Sequence, residues 1–127
     1  MKKIIQTNNA PAPIGPYSQA VLAGNTLYTS GQIALDSESG ELIVSSIDAE
    51  TKKVMENMQA VLQAAGMDFE NVVKSTIFLS SMKHFNAVNE VYGSYFDQLA
   101  APSRETVEVS ELPRKVNVEI SMIAIKA

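Results

Sequence analysis

Val72–Leu79 constrains the fold more than any other stretch. Its eight residues, Val-Val-Lys-Ser-Thr-Ile-Phe-Leu, are rich in β-branched and aromatic types, the composition of a strand. Alternation puts Val73, Ile77 and Leu79 on one face and Val72, Thr76 and Phe78 on the other. Both faces are largely apolar, so the strand belongs inside a sheet and is covered on both sides. The rest of the chain must supply neighbouring strands and that cover.

Two amphipathic segments flank it. Over Ile47–Ala65, the residues Val54, Met55, Met58, Val61, Leu62 and Ala65 fall on one helical stripe. Ser46 is the expected N-cap, Asp48 and Glu50 suit the first turn, and Gly66 suits the C′ position. A second helix is predicted from Ser80 or Ser81 to about Leu99, with Phe85, Val88, Tyr92, Phe96 and Leu99 as its stripe. Strands are predicted at residues 2–6, Tyr17–Ala23, Thr26–Ser30, the stretch after Pro102, and Val116–Ile125. Gly24-Asn25 makes a hairpin turn. Thr7–Pro16, with Pro11, Pro13, Gly15 and Pro16, reads as an ordered loop.

The order β-β-β-α-β-α-β-β predicts an α+β fold with a mixed six-stranded sheet. The 127 residues suit one domain, 1–127. Hydrophobic residues make up 46%, enough for a core. Two helices cover only one sheet face. The other face is apolar enough that it is expected to pack against further copies of the chain.

A net charge of −4 argues against nucleic acid or an anionic membrane surface as partner. Without cysteine, there is no thiol nucleophile and no disulfide framework. His84 is the only histidine, and no second His or Cys is available for a metal site. No run approaches about 18 apolar residues, so no membrane span is expected. The N-terminus does not read as a signal peptide, and a cytoplasmic protein is expected.

Two residues stand out chemically. Arg104 stands at the mouth of a strand stiffened by Pro102. Alternation puts Arg104 and Thr106 on one face, with Ser103, Glu105 and Val107 on the other. A guanidinium on a stiff element is a fork for a planar carboxylate; a solvated surface arginine or half of a structural ion pair fits the same stretch. Glu119 sits between Val118 and Ile120, in a strand expected to be central. A buried carboxylate needs a partner. An ion pair with Arg104, a polar ligand or a general acid/base role would each supply one. Tyr17 and Ser30 lie at strand ends, where ligands meet loops. Asn89 interrupts the second helix with a mediocre helix former.

The segments Gly15-Pro16-Tyr17-Ser18-Gln19-Ala20, Thr29-Ser30-Gly31-Gln32-Ile33, Val88-Asn89-x-x-Tyr92, Pro102-x-Arg104, and Leu112-Pro113 followed by Val118-Glu119-Ile120 occur in this order. As an ordered set over nearly the whole chain, they closely resemble the reactive intermediate deaminase A (RidA) family. The resemblance implies a chorismate-mutase-like homotrimer with active sites between neighbouring subunits. It implies cofactor-free hydrolysis of 2-imino acids to 2-keto acids and ammonia. It places the family's carboxylate-binding arginine on Arg104, its acidic residue on Glu119 and its tyrosine on Tyr17. Its serine and glycine fall on Ser30 and Gly31, and its helix asparagine on Asn89. Three positions depart from the pattern. Thr106 stands where cysteine is frequent, so thiol chemistry is not essential here. Glu105 replaces a small or apolar residue, and Ser121 replaces a second glutamate. A non-catalytic metabolite-binding trimer using the same cleft is the competing reading.

Overall fold

Val118, Ile120, Met122 and Ala124 alternate along the last strand and are at most 2% exposed. Such a run belongs at the centre of a sheet, and the computed structural model, which describes residues 1–127, places it there. The strands are β1 (Lys2–Ile5), β2 (Ala20–Ala23), β3 (Thr26–Thr29), β4 (Val72–Leu79), β5 (Ser103–Glu108) and β6 (Val118–Ile125). They form one sheet in the order β1-β2-β3-β6-β4-β5. Only β4 and β5 pair in parallel, which makes the sheet mixed. The helices α1 (Ile47–Ala64) and α2 (Phe85–Gly93) share a hydrophobic core with it. No helix is long and apolar enough to cross a membrane.

Helix α1 follows its sequence signals closely. Ser46 accepts a hydrogen bond from the Ala49 amide at 3.0 Å, satisfying one of the helix's free donors. Gly66 adopts φ 74 just past the C-terminus, a left-handed turn that favours glycine. Val54, Met55, Met58, Val61 and Leu62 are fully buried. Each such side chain contributes about 1.5–3 kcal/mol by leaving water.

Helix α2 is shorter than its stripe predicts. Ser81 caps a single 3-10 turn at Met82–His84, accepting from the Lys83 amide. The helix then stops at Gly93. The Ser94 hydroxyl donates to the Val91 carbonyl at 2.6 Å, and such local bonds compete with helical ones. Tyr95 and Phe96 turn back edge-on to Phe69, with centroids 5.2 and 5.5 Å away. Leu99 therefore leaves the stripe and is 98% exposed.

Strand β4 also departs from simple alternation. A bulge between Val72 and Lys74 shifts its register against β6. Val72 joins Ser75, Ile77 and Leu79 on the buried face, while Val73 is exposed. An extra residue in one strand exchanges the faces on either side of it. Strand β2 begins at Ala20, not Tyr17, because Gln19 is recruited to the preceding loop. Its buried amide accepts from the Thr7 amide and donates to the carbonyls of Thr7, Ala10 and Pro11. Strand β6 starts at Val118, two residues later than predicted.

The face away from the helices carries Ile4, Val21, Tyr28, Phe78, Val107 and Ile123, by their register with one another. Ile4, Tyr28 and Val107 on that face are exposed.

Candidate functional site

Glu119 points to the opposite side of β6 from Val118 and Ile120, both of which are fully buried in the core. Burial raises its pKa above the ordinary 4.5, because a low-dielectric surrounding disfavours the carboxylate. Gly31 lies directly against it. A Cβ added there would overlap the carboxylate, coming within 2.7 Å of Cδ and 2.9 Å of Cγ. The approach is held by the bridge between Gln32 and Ile120, whose backbones exchange bonds of 2.8 and 3.1 Å. Gly31 is required here for space rather than for an unusual φ.

Glu119 opens into a cleft of about 380 Å³. One wall is the Pro11–Tyr17 loop, which Gln19 ties down from inside. Tyr17 stands at the rim, 52% exposed. Ser30 lines the cleft, but its hydroxyl donates to the Ser18 carbonyl at 2.6 Å. That bond stiffens the loop and engages the hydroxyl hydrogen; the oxygen's lone pairs still serve as an acceptor. Pro113 and Arg114 form the other wall. Arg114 and Lys115 are the only non-glycine residues with positive φ, 55 and 57. Such conformations cost on the order of 1–3 kcal/mol each, so the turn that brings a cation to the cleft is strained.

Arg104 lies elsewhere. It pairs with Ser75 in the β4–β5 register, whereas Glu119 pairs with Phe78 across β4 and β6. Ser75 faces the core and Phe78 faces away, so Arg104 and Glu119 lie on opposite sides of the sheet. An Arg104–Glu119 ion pair, one of the alternatives open from the sequence, is therefore not formed within the chain. Register excludes it, since pleating sends the two side chains apart. The Arg104 guanidinium carbon lies instead over two α2 rings, 5.1 Å from the Tyr92 centroid and 5.7 Å from that of Phe85. Ion pairs form only between Lys53 and Asp36 and between Lys74 and Glu105, which leaves Arg104 without a carboxylate. The Tyr92 hydroxyl donates to Ser75 at 2.8 Å, fixing the ring.

Two further candidates gather around Arg104. Thr106 shares its face, and the Thr106 hydroxyl is buried with no hydrogen-bond partner. Asn89 follows Phe85 by four residues and precedes Tyr92 by three, so it shares their helical stripe; its side chain is exposed. Glu105 points away from Arg104, 3.1 Å from Lys74. One chain thus holds two separate clusters of candidate residues. Tyr17, Ser30, Gly31 and Glu119 line one; Arg104, Thr106 and Asn89 form the other.

Sequence reasoning missed Arg114, Gln19 and the ring platform. The Leu112-Pro113 break marks a turn, but nothing local announces positive φ at an arginine. The role of Gln19 rests on contacts 8 to 12 residues away. Phe85 and Tyr92 enter the sequence reading as members of an apolar stripe, Tyr92 also in the segment Val88-Asn89-x-x-Tyr92, but neither as a support for Arg104.

The architecture defines a class of small α+β proteins with a carboxylate in an apolar cleft on one sheet face and an arginine over two aromatic rings on the other. The chain belongs to the RidA family: the family model described as Endoribonuclease L-PSP matches residues 7–126. It is 51% identical over 124 residues to a RutC family protein of Synechocystis, covering 97% of this chain and 95% of that one. It is 47% identical over 126 residues to the 2-iminobutanoate/2-iminopropanoate deaminase of Mus musculus, covering 99% of this chain and 93% of that protein. Among solved structures, E. coli TdcF with bound serine superposes with a TM-score of 0.92 at 38% identity, over 98% of this chain and 99% of that one.

Proposed function

We propose that this chain is a cofactor-free hydrolase of reactive 2-imino acids, releasing 2-keto acids and ammonia in the cytoplasm. We further propose that it works as a homotrimer, with each site built between two subunits. The observation that supports this reading is that Arg104 and Glu119, each without a partner in its own chain, lie on opposite faces of one sheet. Arg104 is a permanently charged fork without a partner, beside the orphaned Thr106 hydroxyl. Glu119 is a carboxylate whose affinity for protons is raised by burial. A neighbouring copy laid against the exposed apolar face would cover it and bring one cluster to the other.

The chemistry follows from these parts. Arg104 grips the substrate carboxylate through two parallel N–H donors, with its guanidinium over Phe85 and Tyr92. The protonated imine carbon is then electrophilic. Water attacks it from about 3 Å, and positioning lowers the barrier. Glu119, helped by a hydrogen bond to the backbone carbonyl near Thr106, holds that water, and the Glu119 carboxylate takes its proton. Glu119 returns the proton to nitrogen; the tetrahedral adduct then collapses as ammonia leaves and its hydroxyl proton passes to the Glu119 carboxylate, giving the 2-keto acid. Tyr17, Ser30, Gly31, Asn89 and Thr106 shape the space around the substrate. The deaminase name of the murine relative supports this reading, as does serine, a small carboxylate ligand, bound by TdcF. The net charge of −4 opposes a nucleic-acid substrate.

The test generates 2-aminoacrylate in situ from serine with a pyridoxal-phosphate-dependent dehydratase and follows ammonia and pyruvate. Acceleration over the spontaneous rate is expected. Tight binding of 2-keto acids without acceleration would favour the non-catalytic binding protein.

A further inference from the structure

Glu50, in the first turn of α1, is 0% exposed. The helix does not need its carboxylate as a cap, because Ser46 performs that task. Both carboxylate oxygens instead reach the start of β6. Oε2 accepts from the amides of Asn117 at 2.7 Å and Val118 at 2.9 Å, and Oε1 accepts from Asn117 Nδ2 at 3.0 Å. Ser80 holds the same residue from the other side. Its hydroxyl donates to Asn117 Oδ1 at 2.9 Å, and its amide donates to the Asn117 carbonyl at 3.0 Å. Glu119 therefore sits between two fixed points, the Glu50-bound pair Asn117–Val118 and Ile120, which is bridged to Gln32.

We propose that Glu50 is a positioning residue that holds β6 so that the Glu119 carboxylate stays seated against Gly31, in line with the cleft. The proposal rests on the imino acid hydrolase reading for its kinetic test but not for its spectroscopic one. A carboxylate placed 1 Å off costs catalysis far more than it costs folding. The hydrogen bonds also indicate which substitution preserves the clamp. In Glu50→Gln the new side-chain oxygen accepts from both backbone amides. If the Asn117 side-chain amide turns over, its Oδ1 accepts from the introduced NH2 group and its Nδ2 donates to Ser80 Oγ, so the clamp itself stays satisfied and only the part-buried Ser80 hydroxyl hydrogen turns to a new acceptor. In Glu50→Ala two buried backbone amides lose their acceptor.

The experiment compares Glu50→Ala, Glu50→Gln and a stability control, Val61→Ala, on the same buried face of α1. In Glu50→Ala, kcat should fall at least about tenfold while KM, set by Arg104, changes by less than about twofold. Glu50→Gln should keep kcat within about twofold, and Val61→Ala should lower Tm but leave kcat alone. In parallel, the Glu119 side-chain carbon is titrated by NMR. Its raised pKa should drop toward the ordinary carboxyl value in Glu50→Ala and stay raised in Glu50→Gln. If Glu50→Ala does not fold, Asn117→Ala removes one leg of the clamp and should show the same split at smaller amplitude. Unchanged kcat and unchanged Glu119 titration in a folded clamp variant would overturn the proposal. A wild-type protein without imino acid hydrolysis would overturn the deaminase reading alone, leaving the titration to decide Glu50.

Discussion

Gly31 and Glu119 occupy a space that admits only one side chain: a Cβ on residue 31 would lie 2.7 Å from Glu119 Cδ and overlap the carboxylate beyond it. The glycine is in effect the socket of the acid. Gly31→Ala should fold, since its φ is not in the left-handed region, yet push Glu119 aside. We expect hydrolysis to fall by about 100-fold or more. In a Glu119→Ala background the same change should have almost no further effect, because two residues acting as a unit are not additive. Additive losses in the double variant would separate the two residues.

Arg104→Lys keeps the charge but loses the planar fork over the two rings. If Arg104 clamps the substrate carboxylate, activity should fall by at least about 100-fold, equivalent to about 2.7 kcal/mol. The melting temperature should stay near normal, because Arg104 has no carboxylate partner to lose. Assay and thermal unfolding on one preparation check both halves. Near-full activity would remove the clamp.

Thr106→Val tests the orphaned hydroxyl. Deleting a buried hydroxyl that has no partner, with shape conserved, is neutral or stabilising. We expect an unchanged or slightly raised Tm in the isolated subunit and most of the activity retained, since Thr106 is not a nucleophile. A loss of about 1,000-fold in a folded variant would place its hydroxyl in the chemistry.

The separation of Arg104 from Glu119 predicts complementation. Arg104→Ala and Glu119→Ala should each be inactive alone. Mixed by refolding, they should regain about a quarter of wild-type activity. That is the share of sites in randomly assembled trimers that draw both intact residues from different chains. No recovery in well-mixed trimers would rule out a site shared between subunits.

The raised pKa of Glu119 fixes a sign for pH dependence. Its folded pKa lies above 4.5 because burial disfavours the charged form. The folded state therefore binds the proton more tightly than the unfolded state. Stability from this group is fully present below the unfolded value and lost as pH rises through the folded one. Glu119→Gln, always neutral, should gain Tm relative to wild type as pH rises from about 4 to about 8, with no gain at the acid end. A gain confined to low pH would contradict the burial of the carboxylate.

Local periodicity makes much of this molecule legible in its sequence. The cap at Ser46, the stripe of α1, Gly66 at its end and the alternation of β6 all depend on neighbours within a few residues. That is enough to order the elements and to place Arg104 and Thr106 on one face with Glu105 on the other. Helix α2 ends at Gly93, short of its expected length, because apolar spacing continues after the backbone has stopped being helical. Val73 lies on the face opposite to the one expected because a one-residue bulge leaves no local mark.

The features that no local pattern announces are relational. Each strand's alternation can be read from its own residues, but which faces coincide depends on register across β5, β4 and β6. That register put Arg104 and Glu119 on opposite sides of the sheet. The fit of Glu119 against Gly31, the hold of Glu50 on Asn117 and the strained turn at Arg114 join residues that are distant in sequence or use a conformation that arginine does not favour. Close packing between such segments, rather than any local preference, sets the geometry of the cleft.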